Sequence, residues 1–262
     1  MTDSDITEFG RLVADARCVT LLTGAGMSTE SGIPDFRSAG GFYARGIGEK
    51  VFDIDVFDRD AGFFYAHARE LIERSLTARP NRGHQAIAAL SRQFGRDVRV
   101  ITQNIDILHQ RAHPDVPVFP IHGTIETASC RRCGSQLPGR QLWRRVRAGE
   151  VPPRHRGCGG VMKPDIVFFG EALPVDVVSL AQQAVRAADL LVVAGTSLVV
   201  YPAAYLPEMR RPEARVVIVN RTPTSLDSEA DLLFRDGIGN VLSRLVERLR
   251  NTHHGRKNPH TA

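Results

Sequence analysis

Four short apolar runs, rich in Val, Ile and Leu and each closed by small or polar residues, constrain this 262-residue chain more than any other feature. They lie at 17–23, 99–102, 189–194 and 214–220, and helical patterns at 84–94, 175–188 and 238–250 lie between and after them. Strands buried on both faces read as near-continuous hydrophobic runs, and strands alternating with helices form a parallel, doubly wound sheet. The expected fold is α/β. Such sheets bind ligands at the carboxyl ends of their strands, where this chain carries Gly24-Ala-Gly26, Gln103-Asn-Ile-Asp106 and Gly195-Thr-Ser197. Two stretches break the alternation. Residues 34–79, carrying Phe36, Phe42, Phe52, Phe57, Phe63 and Phe64, read as loop with short helices. Residues 130–162 are rich in Arg, Gly and Pro, with one short helix near 140–147. Both read as insertions that build a smaller lobe, and polar residues 251–262 read as a disordered tail.

Hydrophobic residues make up 42% and charged residues 24%, which excludes a disordered or fibrous chain. No apolar run reaches the roughly 18 residues that span a bilayer, and the acidic start is no secretory signal. A soluble, cytoplasmic protein without a membrane partner is expected. The 34 basic residues are 31 Arg and only 3 Lys. Between Cys130 and Met162 eight Arg face one acid, Glu150, so that segment carries +7 of the net +5 and the rest of the chain sums to −2. Charge confined to one segment points to a local acidic partner or to Arg enrichment on a solvated face, rather than to nucleic acid held across the surface. Four cysteines are too few for a disulfide scaffold. Cys18 opens an apolar run and reads as core, whereas Cys130 and Cys133 have the spacing of half a metal site.

The densest motif runs from Thr23 to Arg37. Glycines after a strand let the backbone approach a phosphate, and the helix N-terminus beyond favours negative charge. The dinucleotide fingerprint is not met, since no glycine stands three positions after Gly26; Gly24 and Gly26 alone fit a cofactor loop or a tight turn. Ser31-Gly-Ile-Pro-Asp-Phe-Arg37 adds Pro, Asp, Phe and Arg in one loop, a set that serves core packing poorly. Gln103, Asn104 and Asp106 are turn formers or ligands for a ribose or base. His122, closing an apolar run beside Gly123, is structural or a general base.

Gly24-Ala-Gly-Met-Ser28, Gly32-Ile-Pro-Asp-Phe-Arg37, Gln103-Asn-Ile-Asp106, His122-Gly123, Pro164-Asp-Ile-Val-Phe-Phe-Gly-Glu171, Gly195-Thr-Ser197 and Val219-Asn220 occur in this order. Together they resemble the sirtuin family of NAD-dependent protein-lysine deacylases, over about residues 10–245. Val51-Phe-Asp-Ile-Asp55 and Ser197-Leu-Val-Val-Tyr-Pro202 resemble bacterial deacetylating members. The resemblance implies a Rossmann-like NAD-binding domain from 1–33, 80–125 and 164–250. A helical and loop insertion at 34–79 and a zinc-ribbon insertion at 126–163 would form the small lobe. NAD, a co-substrate, would be held by Gly24, Ala25, Gly26, Thr29, Asp35, Phe36 and Arg37 and by Gln103, Asn104, Ile105, Asp106 and His122. Gly195, Thr196, Ser197, Asn220, Arg221 and Ile238 would complete its site. His122 matches the catalytic base, with Asn104 and Asp106 positioning the ribose and an attacking water. An acetylated lysine segment would thread as an added strand between Val167, Phe168, Phe169 and Gly170 on one side and Leu198 and Val199 on the other. The implied products are free lysine, nicotinamide and O-acetyl-ADP-ribose, an acyl transfer. Mono-ADP-ribosyl transfer from the same pocket is the alternative. A non-enzymatic zinc-ribbon nucleic-acid binder would leave Gln103, Asn104, Asp106 and His122 unexplained.

The family carries two Cys-x-x-Cys pairs, but here the second is His155-Arg-Gly-Cys158. Cys130, Cys133, His155 and Cys158 would hold one structural zinc as a Cys3His set, unless the site has decayed and His155 lies on the surface. A neutral imidazole in place of a thiolate predicts looser zinc binding. Desuccinylating members carry a Tyr and an Arg three residues apart; here Tyr65 is followed by Ala68, with Arg69 one position later. One extra helical residue turns a side chain by about 100°, which implies preference for a short, neutral acyl group.

Overall fold

The computed structural model describes residues 1–38, 40–45 and 48–257. Helix α1 (Asp3–Asp15) leads into β1 (Cys18–Thr23), and α2 (Ile54–Arg59), α3 (Ala61–Thr77) and α4 (Arg82–Phe94) follow. Next come β2 (Asp97–Thr102), α5 (Leu108–Ala112), β3 (Val118–Pro120), β4 (Gly123–Cys130), β5 (Gln136–Pro138), α6 (Gly139–Arg147) and β6 (Met162–Ile166). The remaining elements are α7 (Val175–Ala187), β7 (Leu190–Ala194), β8 (Arg215–Val219), β9 (Leu232–Phe234) and α8 (Ile238–Lys257).

Six strands form one parallel sheet in the order β3-β2-β1-β7-β8-β9. The chain builds outward from β1 through β2 and β3, then restarts beside β1 at β7 and builds the other way. Alternate residues of each central strand face opposite layers, as a period of two requires. Val19, Leu21, Leu190, Val192, Val217 and Val219 pack under α1, α4 and α8. Leu22, Leu191, Val193, Val216 and Ile218 pack under α7 and the short helix Ala203–Met209. This is the doubly wound α/β sheet expected from the apolar runs.

A second sheet, antiparallel in the order β5-β4-β6, shares a separate core with α3 and α6. The Phe-rich segment is more ordered than its sequence suggests, because α3 is 17 residues long and buries Phe64, Tyr65, Ala68, Leu71 and Ile72 at helical spacing. Helix α8 continues through residues 251–257, into the stretch expected to be a disordered tail. Thr252 Oγ1 donates to the Arg248 carbonyl one turn back. Residues 258–262 lie outside the described residues.

Thr23, the last residue of β1, is fixed by a buried chain of histidines. Its hydroxyl donates to the Ile101 carbonyl at 3.4 Å and accepts from His109 Nε2 at 3.0 Å. His109 Nδ1 in turn accepts from His113 Nε2 at 3.2 Å, and the His84 ring packs 4.7 Å from that of His109. Burial pushes all three imidazoles below the ordinary value, His84 to about 3 and His113 to about 4. Below about pH 6.5 the unfolded chain therefore takes up protons that the folded chain refuses. Stability must fall with pH, by up to about 1.4 kcal/mol per pH unit for each histidine. For His113 that loss continues until its folded form protonates near pH 4. Urea midpoints should hold between about pH 7.5 and 6.5, then drop steadily toward about pH 5 in wild type and less steeply in His113→Phe. Equal slopes would show that His113 does not contribute to acid stability.

Candidate active site

The loops after β1 and β7 meet at the point where strand order reverses. Gly24 N donates to the Ala194 carbonyl at 3.1 Å, and Gly26 N donates to the Gly195 carbonyl at 2.9 Å. A Cβ on Gly24 would lie 2.7 Å from Gly195 O, and one on Gly26 would lie 2.7 Å from Gly195 Cα. Gly195 itself has φ +68°. These glycines therefore serve first to let two loops touch, a use that the phosphate reading of the sequence did not include.

Above this contact lies a cavity of about 510 Å3. Gly24, Ala25, Gly26, Thr29, Asp35, Phe36 and Arg37 line it from the β1 side, with Gln103, Asn104 and Ile105 beyond β2. Gly195, Thr196, Ser197, Asn220, Arg221 and Ile238 line it from the β7, β8 and α8 side. His122 and residues Val167, Phe168, Phe169 and Gly170 close the far wall. Three residues named from the sequence are not on that wall. Leu198 is buried in the core beneath α7, Val199 is exposed, and the wall residue of that segment is Val200. Asp106 is the third, and it supports the wall from behind.

A buried polar network explains its place. Asp106 Oδ2 accepts from Ser28 Oγ at 2.8 Å and Oδ1 accepts from Leu108 N at 3.0 Å, while Asn104 Nδ2 donates to Ser28 Oγ at 3.1 Å. Burial, only partly countered by these bonds, pushes the Asp106 carboxyl upward. The Ser28 hydroxyl, to which the motif alone assigns no role, joins the two loops. Gln103 Nε2 donates to Thr196 Oγ1 at 3.0 Å, crossing from the β2 loop to the β7 loop. Glu30, also passed over, lines the cavity and accepts from Gly239 N at 3.0 Å in the first turn of α8, where a carboxylate is favoured.

His122 Nδ1 lies 3.0 Å from the Gln103 carbonyl. A carbonyl can only accept, so Nδ1 carries the proton and Nε2 keeps its lone pair. Burial lowers the His122 pKa, and the hydrogen bond to Gln103 opposes that shift in part. The result is a neutral imidazole suited to accept a proton. Phe36 lines the same cavity in an aromatic cluster, edge-on to Phe52 with ring centroids 5.9 Å apart.

The 167–170 wall is stapled by an ion pair. Lys163 Nζ donates to the Ile166 carbonyl at 2.6 Å and to Glu171 Oε2 at 2.7 Å, and sits 4.1 Å from the Phe168 ring centroid. Glu171 Oε2 also accepts from Phe168 N at 2.8 Å. Neither Tyr65 nor Arg69 reaches the cavity. The Tyr65 hydroxyl donates to the Met162 carbonyl at 2.6 Å inside the second core, and Arg69 pairs with Glu73 at the surface.

Cys130, Cys133, His155 and Cys158 converge at one end of β4, their ligand atoms all within 4.8 Å of one another. Sulfur–sulfur separations of 3.4 and 3.5 Å, and 3.2 and 3.4 Å from His155 Nδ1 to sulfur, suit a tetrahedral ion with bonds of about 2.0–2.3 Å. His155 thus faces the thiols, and the donor set fits zinc. Four protein ligands leave no open position, so the site is structural.

The Sir2 family model matches residues 24–202. The chain is 42% identical over 240 residues to "NAD-dependent protein deacylase 2" of Pyrobaculum aerophilum, covering 91% of this chain and 94% of that protein. It is 41% identical to "NAD-dependent protein deacetylase" of Chromobacterium violaceum, covering 93% and 98%. A Sir2 structure described with a deacetylated p53 peptide and 3'-O-acetyl ADP ribose superimposes with TM-score 0.86 at 38% identity, covering 92% of this chain and 97% of that one.

Metal content after dialysis tests the Cys3His set. Wild type and His155→Cys should each keep close to one zinc per chain, and His155→Ala should lose it. Zinc-free wild type that is fully folded would remove the metal site.

Proposed function

Because the chain belongs to the Sir2 family, we propose that it removes acetyl groups from protein lysine side chains with NAD as co-substrate, giving free lysine, nicotinamide and O-acetyl-ADP-ribose. The observation that carries this reading is His122, held as a neutral base on the shared wall of the glycine-lined cavity and the 167–170 segment. NAD supplies the ADP-ribosyl group that takes up the acetyl.

The residues divide that work. Gly24, Ala25, Gly26, Thr29, Asp35, Phe36 and Arg37, with Gly195, Thr196, Ser197, Asn220, Arg221 and Ile238, bind the dinucleotide. Gln103, Asn104 and Ile105 hold its reactive end, Asn104 also orients the attacking water, and Asp106 fixes Asn104 through Ser28. Holding both partners in place replaces a strong protein nucleophile, and Phe36 excludes solvent. His122 Nε2 accepts the ribose hydroxyl proton. The acetyl-lysine segment adds as a strand between Val167–Gly170 and the 198–200 segment, with Val200 facing the cavity. The large sheet, from 1–33, 80–125 and 164–250, is the NAD-binding domain, and 34–79 with 126–163 form the small lobe. Four free cysteines, three of them in the zinc set, suit a reducing cytoplasm. Among the described residues no helix is long and apolar enough to cross a membrane. No feature of the cavity favours mono-ADP-ribosyl transfer, and a nucleic-acid binder would have no use for it.

Losing a general base costs about 10²–10⁴-fold in rate, so His122→Ala should fold and bind NAD yet lose deacetylation by that order. In wild type the acid limb of the kcat/KM profile should fall below the ordinary histidine value of about 6.5, since a lowered pKa keeps the base neutral further into acid. Near wild-type turnover in His122→Ala would overturn the mechanism.

Acyl preference follows from the wall. Phe36, Phe52, Ile105, Ile166 and Phe168 border the cavity, and neither Tyr65 nor Arg69 reaches it to meet an acyl carboxylate. On one peptide, deacetylation should outpace desuccinylation; the reverse order would refute this lining argument.

A further inference from the structure

Beside the cavity mouth the surface turns aromatic and acidic. Val199, Tyr201 and Tyr205 are 53%, 58% and 50% exposed. Tyr201 lines the cavity, and the Tyr205 ring, which does not, lies 4.5 Å from it at an interplanar angle of 57°. Both belong to the connection after β7, which continues into the short helix Ala203–Met209. That helix buries Ala203, Ala204 and Leu206 and leaves Tyr205 and Glu208 outside. Residues three apart eclipse one another on a 3₁₀ helix, so Glu208 stands over the same face as Tyr205. Among the described residues Glu208 has no hydrogen-bond or ion-pair partner. The nearby cations are engaged elsewhere, Arg210 with Glu229 and Arg211 with Asp189.

Core packing does not explain two large rings half in water, whereas contiguous exposed apolar surface marks interaction sites. Two π faces beside an uncompensated carboxylate suit a guanidinium or an ammonium. The ledge is also continuous with the slot between Val167–Gly170 and Val200. Tyr201 follows Val200 directly on the cavity lining, and an extended peptide advances about 3.3 Å per residue, so the 4.5 Å between the Tyr201 and Tyr205 rings is a step of one to two peptide residues along the ledge.

We propose that Tyr205 and Glu208, continuing the wall at Tyr201, form a subsite for a basic side chain, so that acetyl-lysine segments with Arg or Lys one or two residues from the acetylated lysine are preferred. The proposal rests on the deacetylase reading and names its substrate class.

The test is a set of peptides with acetyl-lysine in an all-Ala frame, with Arg, Phe or Glu placed in turn at the two positions on either side. Exposed cation–π and ion-pair contacts together should make Arg at one position better than Ala by about three- to tenfold in kcat/KM, through KM. Glu at that position should be worse than Ala. Tyr205→Ala and Glu208→Gln should each shrink the Arg advantage and leave turnover of the all-Ala peptide unchanged. The subsite is overturned if Arg gains nothing at any position, if Phe gains as much as Arg, or if the advantage survives in both variants. Turnover of the all-Ala peptide without an Arg preference leaves the deacetylase reading intact and removes only the subsite. Absence of turnover for every peptide overturns both.

Discussion

The contact between the loops after β1 and β7 is the constraint on which the rest of the site depends. Parallel strands side by side would normally carry side chains at their exits that keep the two loops apart. Here Gly24 and Gly26 lie against Gly195 closely enough that a methyl group on any of the three would collide with backbone. Closing that gap brings Gln103 within hydrogen-bonding reach of Thr196 and places Ile238, at the start of α8, on the lining of the same cavity as Ala25. Thr23, the residue before the first glycine, is locked by Ile101 and His109 from below. The loop therefore starts from a fixed point and ends on a fixed neighbour.

A second chain of contacts joins the small lobe to that frame. Cys130 closes β4, and the next residue, Arg131, pairs with Asp58 and reaches Glu171 at 3.7 Å. Glu171 holds Lys163 and the Phe168 amide, which set the 167–170 segment. A metal that does not line the cavity can thus bear on the 167–170 segment through position alone. The route is physical: ligand, neighbouring arginine, carboxylate, loop.

The sheet could be read from sequence because strands buried on both faces must be mainly apolar, and β1, β7 and β8 are, with Thr20 and Thr23 in β1 and Arg215 at the start of β8 as the exceptions. Edge strands β3 and β9 have three residues each, too few for any periodicity to show. Helix α1 carries a capping box at Thr2 and Asp5 and the helical stripe Ile6, Phe9, Leu12 and Val13, yet it precedes the first apolar run and so stands outside the strand–helix alternation. Helix α3 was hidden for the opposite reason, since aromatic residues crowd it and aromatic content says little about backbone. Motif spacing named the segments that meet at the cavity but not which side of each segment faces it. Asp106 and Leu198 turn inward to the support and the core, and Ser28 becomes a bridge only once β1 and β2 lie side by side.

The arginine-rich segment shows how composition can mislead when it is counted before contacts are known. Eight arginines between Cys130 and Met162 invite an anionic partner. Yet Arg131 and Arg145 are matched by Asp58 and Glu150, and Arg132 and Arg154 donate to the carbonyls of Cys158 and Gly159. These last two bonds hold the turn that presents Cys158. A planar, permanently charged fork suits that task better than a lysine ammonium, because it reaches a backbone carbonyl in fixed geometry. The charge also matches the ligands: three thiolates on a divalent ion leave one net negative charge, half that of four. Arginines that donate to the loops around such an ion stabilise both the fold of the loops and the residual charge they enclose. Half of the segment's positive charge is therefore accounted for inside the lobe, by the requirements of a small metal site with little core of its own.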